Sequence, residues 1–139
     1  IGMTREPLRV SGKVRAITDG DFVITVPMGR GTKTSMGKTA VLDTGQVQIV
    51  ICSNHTEPYD LGCFRSVGIE PTAKRYLILK SRIHYRGGFR DIARHEIPCN
   101  GVGVTISDNS LFTFKNIRRP IYPLDPECPE RPNYEIPPV

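Results

Sequence analysis

The stretch Thr39-Ala-Val-Leu-Asp-Thr-Gly-Gln-Val-Gln-Ile-Val-Ile-Cys52 decides how this chain is read. Thr39 to Leu42 is mostly apolar, Asp43-Thr-Gly45 carries turn chemistry, and Val47, Ile49 and Ile51 then alternate with Gln46, Gln48 and Val50. Alternation with a period of two puts one apolar row on a core, and Gly45 supplies the positive φ that a tight turn needs. The stretch therefore predicts an antiparallel hairpin. Upstream, Leu8, Val10, Val14 and Ala16 follow a near-alternating pattern, and Thr18-Asp-Gly20 supplies a turn before Phe22-Val-Ile-Thr-Val26, which predicts another hairpin. Between the two, Met28-Gly-Arg-Gly-Thr-Lys-Thr-Ser-Met-Gly37 is too rich in glycine and small polar residues for a regular element and reads as a surface loop.

Downstream, Asp60 is placed to cap a short helix over Leu61 to Ser66, with Gly68 ending it. Tyr76-Leu-Ile-Leu79 has no polar alternation, which predicts a strand covered on both faces. Tyr85, Phe89, Ile92 and Ala93 then recur at helical spacing, and Glu96-Ile-Pro-Cys99 reads as a further short strand before a loop at Gly101 to Gly103. The fold class expected is α/β: a mixed sheet with antiparallel hairpins and a strand-helix-strand unit, closed by a Pro-rich C-terminal strap. Residues 1–125 are expected to form the domain and residues 126–139 an extended tail, because seven of the last twenty residues are proline.

At 139 residues the chain has the length of one domain, and its 38% hydrophobic content with 13 Gly and 12 Pro leaves much of it to turns. No apolar run approaches a membrane span and no secretion signal is visible, so the expectation is a soluble, cytoplasmic protein without membrane contact. Cys52, Cys63, Cys99 and Cys128 lack C-x-x-C spacing and read as reduced thiols, with Cys52 and Cys99 in apolar contexts that suit core positions. The formal charge of +5 is concentrated between Lys74 and Arg94, while the tail from Asp125 is acidic. A nucleic-acid surface would more naturally carry a longer basic stripe interleaved with exposed aromatics, so no nucleic-acid partner is expected.

The chemistry gathers in Lys80-Ser-Arg-Ile-His-Tyr-Arg-Gly-Gly-Phe89. Arg82, Arg86, Arg90 and Arg94 fall at four-residue steps, and like charges so spaced on a helix repel by roughly 0.2 to 0.5 kcal/mol per pair. Either acids such as Asp91 or Glu96 screen the stripe at a solvated face, or some of these arginines meet carboxylates of another domain or an anionic substrate. Gly87-Gly88 costs about 1 kcal/mol per glycine inside a helix, so either the helix starts near Phe89 or another backbone comes close. In the first case Lys80 to Arg86 is a strand-to-helix loop, the place where open α/β sheets bind ligands, and Lys80, Ser81 and His84 become site candidates.

A lone histidine is more often structural, and His55, His84 and His95 have no metal-ligand spacing, so no metal site is expected within the chain. Ser81 with His84 suggests a nucleophile and base, but there is no G-x-S-x-G elbow and no evident third member. Gly37-Lys-Thr39 approaches a phosphate loop, yet Thr32 stands where its first glycine belongs.

Several pieces taken in order resemble the carboxyl-terminal region of the microcystinase C (MlrC) family, the M81 metallopeptidases. They are Asp19-Gly-Asp-Phe22, Met36-Gly-Lys-Thr-Ala-Val41, Tyr59-Asp60 with Phe64-Arg-Ser-Val-Gly-Ile69, Lys80-Ser-Arg-Ile-His-Tyr-Arg86 with Phe89, and Arg119-Pro-Ile-Tyr-Pro-Leu-Asp125. The resemblance runs from about Pro7 to Asp125. It implies a bacterial, zinc-dependent peptidase or amide hydrolase whose zinc ligands lie in an N-terminal metal-binding domain, so the Ile start fits a piece of a longer polypeptide. This chain would then cover the active-site cleft and orient a small peptide substrate, with His84 as the catalytic hydrogen-bond donor or proton carrier. Lys80, Ser81 and Arg86 would bind substrate, zinc would belong to the full-length parent alone, and the N-terminal domain and a possible homo-oligomer would be the partners. The alternative is a non-catalytic protein-interaction domain with a basic docking helix.

Overall fold

The computed structural model describes residues 8–99 and 108–128. They fall in two compact units, residues 8–97 and residues 98–99 with 108–128.

The first unit is built from five short strands. β1 (Lys13–Thr18), β4 (Thr39–Asp43) and β5 (Gln48–Cys52) form one antiparallel sheet in the order β1-β4-β5, and β2 (Asp21–Val23) pairs antiparallel with β3 (Lys33–Ser35) in a second. The hairpin at Thr39 to Cys52 is present as expected, with Thr39 opposite Cys52 and Asp43 opposite Gln48. At its turn Gly45 has φ of 95°, and its N–H donates to Asp43 Oδ1 at 2.7 Å. Central β4 carries two fully buried side chains, Thr39 and Val41. Val41 packs with Met36, Cys63, Val67 and Ile69 as the core, and Ala16, Phe22, Val50, Cys52 and Phe64 close around it.

The first expected hairpin is corrected. Its two strands exist but do not pair with each other: β1 crosses to β4, with a register shift between Val14 and Ala16, and β2 turns to β3. The reason lies in the segment read as a loop. Lys33-Thr-Ser35 folds back as a strand, and Ile24 and Thr32 extend the β2–β3 ladder through Ile24 N–H to Thr32 O at 3.0 Å. A strand of lysine, threonine and serine has no apolar alternation to betray it. The β2–β3 hairpin is thus an excursion between two strands of the main sheet.

Two helices follow, α1 (Gly62–Arg65) and α2 (Arg86–Phe89). Asp60 Oδ1 accepts from Gly62 N–H at 2.6 Å, and Gly68 closes the far end with φ of 77°, as the sequence predicts. Phe89 is buried on α2 and meets Phe64 of α1 edge-on, with ring centroids 5.8 Å apart.

Gly87-Gly88 lies inside α2, and the second of the two expectations for it holds. A Cβ on Gly88 would stand 2.7 Å from the Tyr59 carbonyl oxygen and 3.1 Å from Asp60 Cα, whereas one on Gly87 would make only ordinary contacts at 3.8 Å or more. Gly88→Ala should therefore cost about 1–3 kcal/mol by overpacking against backbone. Gly87→Ala should be neutral or gain up to about 1 kcal/mol of helix propensity. Parallel urea melts of the two variants check the contrast.

Tyr76-Leu-Ile-Leu79 is not a strand, and the strand-helix-strand unit does not form among the described residues. Tyr76 is 74% and Ile78 92% exposed. Periodicity reports how a segment would bury itself, not whether a partner is there. Ile78→Asp should accordingly shift the stability of this chain by no more than about 0.5 kcal/mol, which a urea melt reads directly. Glu96 to Cys99 is likewise irregular, because Glu96 is drawn to Tyr85 and Arg86. The four cysteines are thiols, with Cys63 rather than Cys99 in the core and Cys52 beside it. Burial pushes the Cys63 thiol up from its ordinary value.

In the second unit, Asp108 accepts from Ser110 N–H at 3.0 Å and caps a 3-10 turn over Asn109–Leu111. Asp125 accepts from Arg119 Nε and from Ile121 N–H, each at 2.6 Å, so the Arg119-to-Asp125 motif is a stapled turn. The loop expected at Gly101 to Gly103, and the tail beyond Cys128, lie outside the described residues. Among the described residues no helix is long and apolar enough to cross a membrane.

Candidate functional site

After β5 the chain runs through His55-Thr-Glu-Pro-Tyr-Asp60 before α1. This run anchors the segment singled out as the site. Glu57 splits its two carboxylate oxygens between Ser81 and His84: Ser81 Oγ donates to Oε1, and His84 Nδ1 lies 2.8 Å from Oε2. Ser81 Oγ also accepts from Tyr85 N–H at 3.1 Å, which ties the serine into the turn entering α2. His84 O accepts from Gly87 N–H at 3.0 Å, so the imidazole is carried on the turn that leads into that helix. Two residues after Glu57, the Tyr59 carbonyl is the backbone that Gly88 approaches, so the acid and the helix are positioned by the same short run.

Burial pushes the Glu57 carboxyl up, but hydrogen bonds from His84 and Ser81, with the Arg82 backbone, outweigh it and hold the group below its usual range. Glu57 is therefore ionised near neutral pH. Serine and histidine both bind the acid, and the order serine-histidine-acid of a hydrolytic triad is not formed. The Ser81 proton is directed at the Glu57 carboxylate and not at the His84 imidazole.

Arg86 turns to a different acid. Its guanidinium donates to Glu96 Oε1 at 2.8 Å, lies over the Tyr85 ring with its central carbon 5.8 Å from the centroid, and shares Glu96 with the Tyr85 hydroxyl. Arg86 holds the Glu96 carboxyl below its ordinary value, and Glu96 in turn pushes the Tyr85 phenol up. Glu96 thus screens Arg86, one arginine of the four-residue series. Lys80 is exposed on the approach to the same turn. Of the four residues singled out from sequence, Ser81 and His84 are brought together, Arg86 is engaged by Glu96, and Lys80 stands open.

Glu57 was invisible to spacing. It lies 27 residues from His84, and its only signal is its place just before Tyr59-Asp60. Among the described residues no three His, Cys, Asp or Glu side chains converge as a metal set. The donor set at this site is one imidazole and one carboxylate already spent on it, which does not fit a self-contained zinc centre.

Comparison with known proteins gives this arrangement its context. The family described as MlrC C-terminus matches residues 2–116. Microcystinase C of Sphingomonas sp. is 27% identical over 120 residues, covering 86% of this chain and 22% of that protein. A crystal structure from Mesorhizobium sp. BNC1, of a protein assigned to the metallopeptidases, superposes with a TM-score of 0.69 at 28% identity, covering 81% of this chain and 22% of that one. The chain thus spans about a fifth of the length of either relative. The family match ends at residue 116, before the Arg119-to-Asp125 motif, and takes in every strand and helix described above together with Glu57, Ser81 and His84. On the extent of that match, the chain belongs to the MlrC C-terminus family.

Proposed function

We propose that this chain is the substrate-orienting, cleft-covering part of a zinc-dependent peptidase or amide hydrolase of the M81 type, acting with a metal-binding N-terminal domain of a longer, cytoplasmic bacterial polypeptide. In that polypeptide the metal would polarise the amide carbonyl and activate water. The metal would be held outside the residues described, among which no three His, Cys, Asp or Glu side chains converge. Their part is to position a small peptide: His84 as hydrogen-bonding and proton-carrying group, Lys80 and Arg86 as partners for carboxylate or developing oxyanion.

The observation that carries the reading is the His84 imidazole, half exposed at 50% yet fixed on Glu57 by a 2.8 Å contact. A histidine present only for packing would not combine exposure with a dedicated acid. The docking-helix alternative loses support, since α2 spans only Arg86–Phe89 and its arginine is taken by Glu96. The experiment is peptide turnover by the full-length polypeptide with His84 intact and replaced. A His84→Ala variant that kept both its turnover and its substrate affinity would remove the reading.

A further inference from the structure

We infer that Glu57 is a positioning residue that fixes the tautomer of His84, so that the neutral imidazole turns an unprotonated Nε2 outward as a hydrogen-bond and proton acceptor. A neutral imidazole carries one N–H and one lone pair, and an ionised carboxylate can only accept. With Glu57 Oε2 at 2.8 Å from Nδ1, the proton must sit on Nδ1 and the lone pair on Nε2. No described residue hydrogen-bonds Nε2 in competition.

Ser81 completes the device. Its lone pair is taken by Tyr85 N–H at 3.1 Å and its proton goes to Glu57 Oε1, so both carboxylate oxygens are held and the acid cannot swing away from the ring. Ser81 thereby acts on Glu57 rather than on a substrate. The outward nitrogen would take a donor group, such as the N–H or O–H of an incoming peptide or of water, and would not donate until it had been protonated. Lys80, exposed on the approach to that turn, carries N–H donors of its own.

The use of that acceptor in hydrolysis rests on the function proposed above, whereas the tautomer is a property of this chain and is measured on it alone. The experiment is a long-range proton–nitrogen NMR spectrum of the nitrogen-15-labelled chain above the imidazole's titration, with His84 identified by loss of its signals in His84→Gln. The expected result is the downfield, unprotonated nitrogen signal at Nε2, moving to Nδ1 as the majority form in Glu57→Ala. An Nε2–H tautomer in the unaltered chain would overturn the inference. So would Nδ1–H persisting in a Glu57→Ala variant whose amide spectrum remains dispersed. If Glu57→Ala does not fold, the unaltered chain still decides. Unchanged peptide turnover by a full-length Glu57→Ala variant, together with the expected tautomer, would sink the substrate-cleft reading and leave the role of Glu57 standing.

Discussion

A full-length polypeptide carrying His84→Ala is expected to turn over peptide about 10²- to 10⁴-fold more slowly, the range for losing one positioned acid or base. The loss should fall on kcat more than on KM, because the imidazole is held by Glu57 and not by a bound ligand. Lys80→Ala should show the opposite split, raising KM about tenfold as a charge-assisted hydrogen bond is lost. Arg86→Ala should do less to KM, since its guanidinium is already shared with Glu96 and Tyr85. A double-mutant cycle separates mechanism from damage. If Glu57 works through the imidazole, Glu57→Ala should cost little once His84 is alanine, whereas a general loosening of the unit would add. Steady-state kinetics on the four single variants and the Glu57/His84 double variant are the measurement.

Much of the architecture is legible in the residues, and the exceptions have physical causes. The β4–β5 hairpin is written twice over, in the alternation of Val47, Ile49 and Ile51 and in the turn at Gly45. Strand β3 is written nowhere, because Lys33-Thr-Ser35 is held by its ladder to β2 and not by an apolar face. Tyr76 to Leu79 shows the converse failure: the residues suit a buried strand, yet Tyr76 and Ile78 stand exposed and no strand of the described residues pairs with them. The site divides in the same way. His84 and Ser81 stand out because they crowd a short polar run, but Glu57 sits in a different segment, and no local pattern ties a carboxylate to an imidazole 27 residues away. Gly87-Gly88 was the best clue that the two segments meet, since paired glycines in a helix have an evident use only where a backbone presses on them.

Asp60→Ala should be the most destabilising single change in the first unit, costing about 3–5 kcal/mol, a large share of the 5–15 kcal/mol typical of a whole domain. The residue is fully buried, at 0% exposure. Oδ2 accepts from Thr25 N–H at 2.7 Å, Thr25 Oγ1 at 2.9 Å and Val26 N–H at 3.0 Å, while Oδ1 takes Gly62 N–H at 2.6 Å. One carboxylate thus joins the end of the β2 segment to the start of α1. Removing it strands those donors, each costing on the order of 1–3 kcal/mol unless water enters. Asp60→Asn should cost less but still about 2 kcal/mol, because an amide nitrogen must face either the Gly62 N–H or the Thr25 and Val26 donors. Burial pushes the Asp60 carboxyl up, but the donors of Gly62, Thr25 and Val26 outweigh it and hold it below its ordinary 3.8. With the folded value depressed, the stabilisation is fully present above about pH 4 and is lost as pH falls through the folded value. The Asn variant lacks that contribution to the acid slope. Urea melts from pH 3 to pH 7 should therefore show the gap between the parent chain and Asp60→Asn narrowing toward acid, and a gap constant with pH would refute the assignment. Because Glu57 lies three residues before Asp60 in the same run, the anchor that fails in Asp60→Ala is also the one that holds His84. Tethering that run to α1 and to the β2 segment is how a small sheet domain keeps a half-exposed imidazole in one orientation.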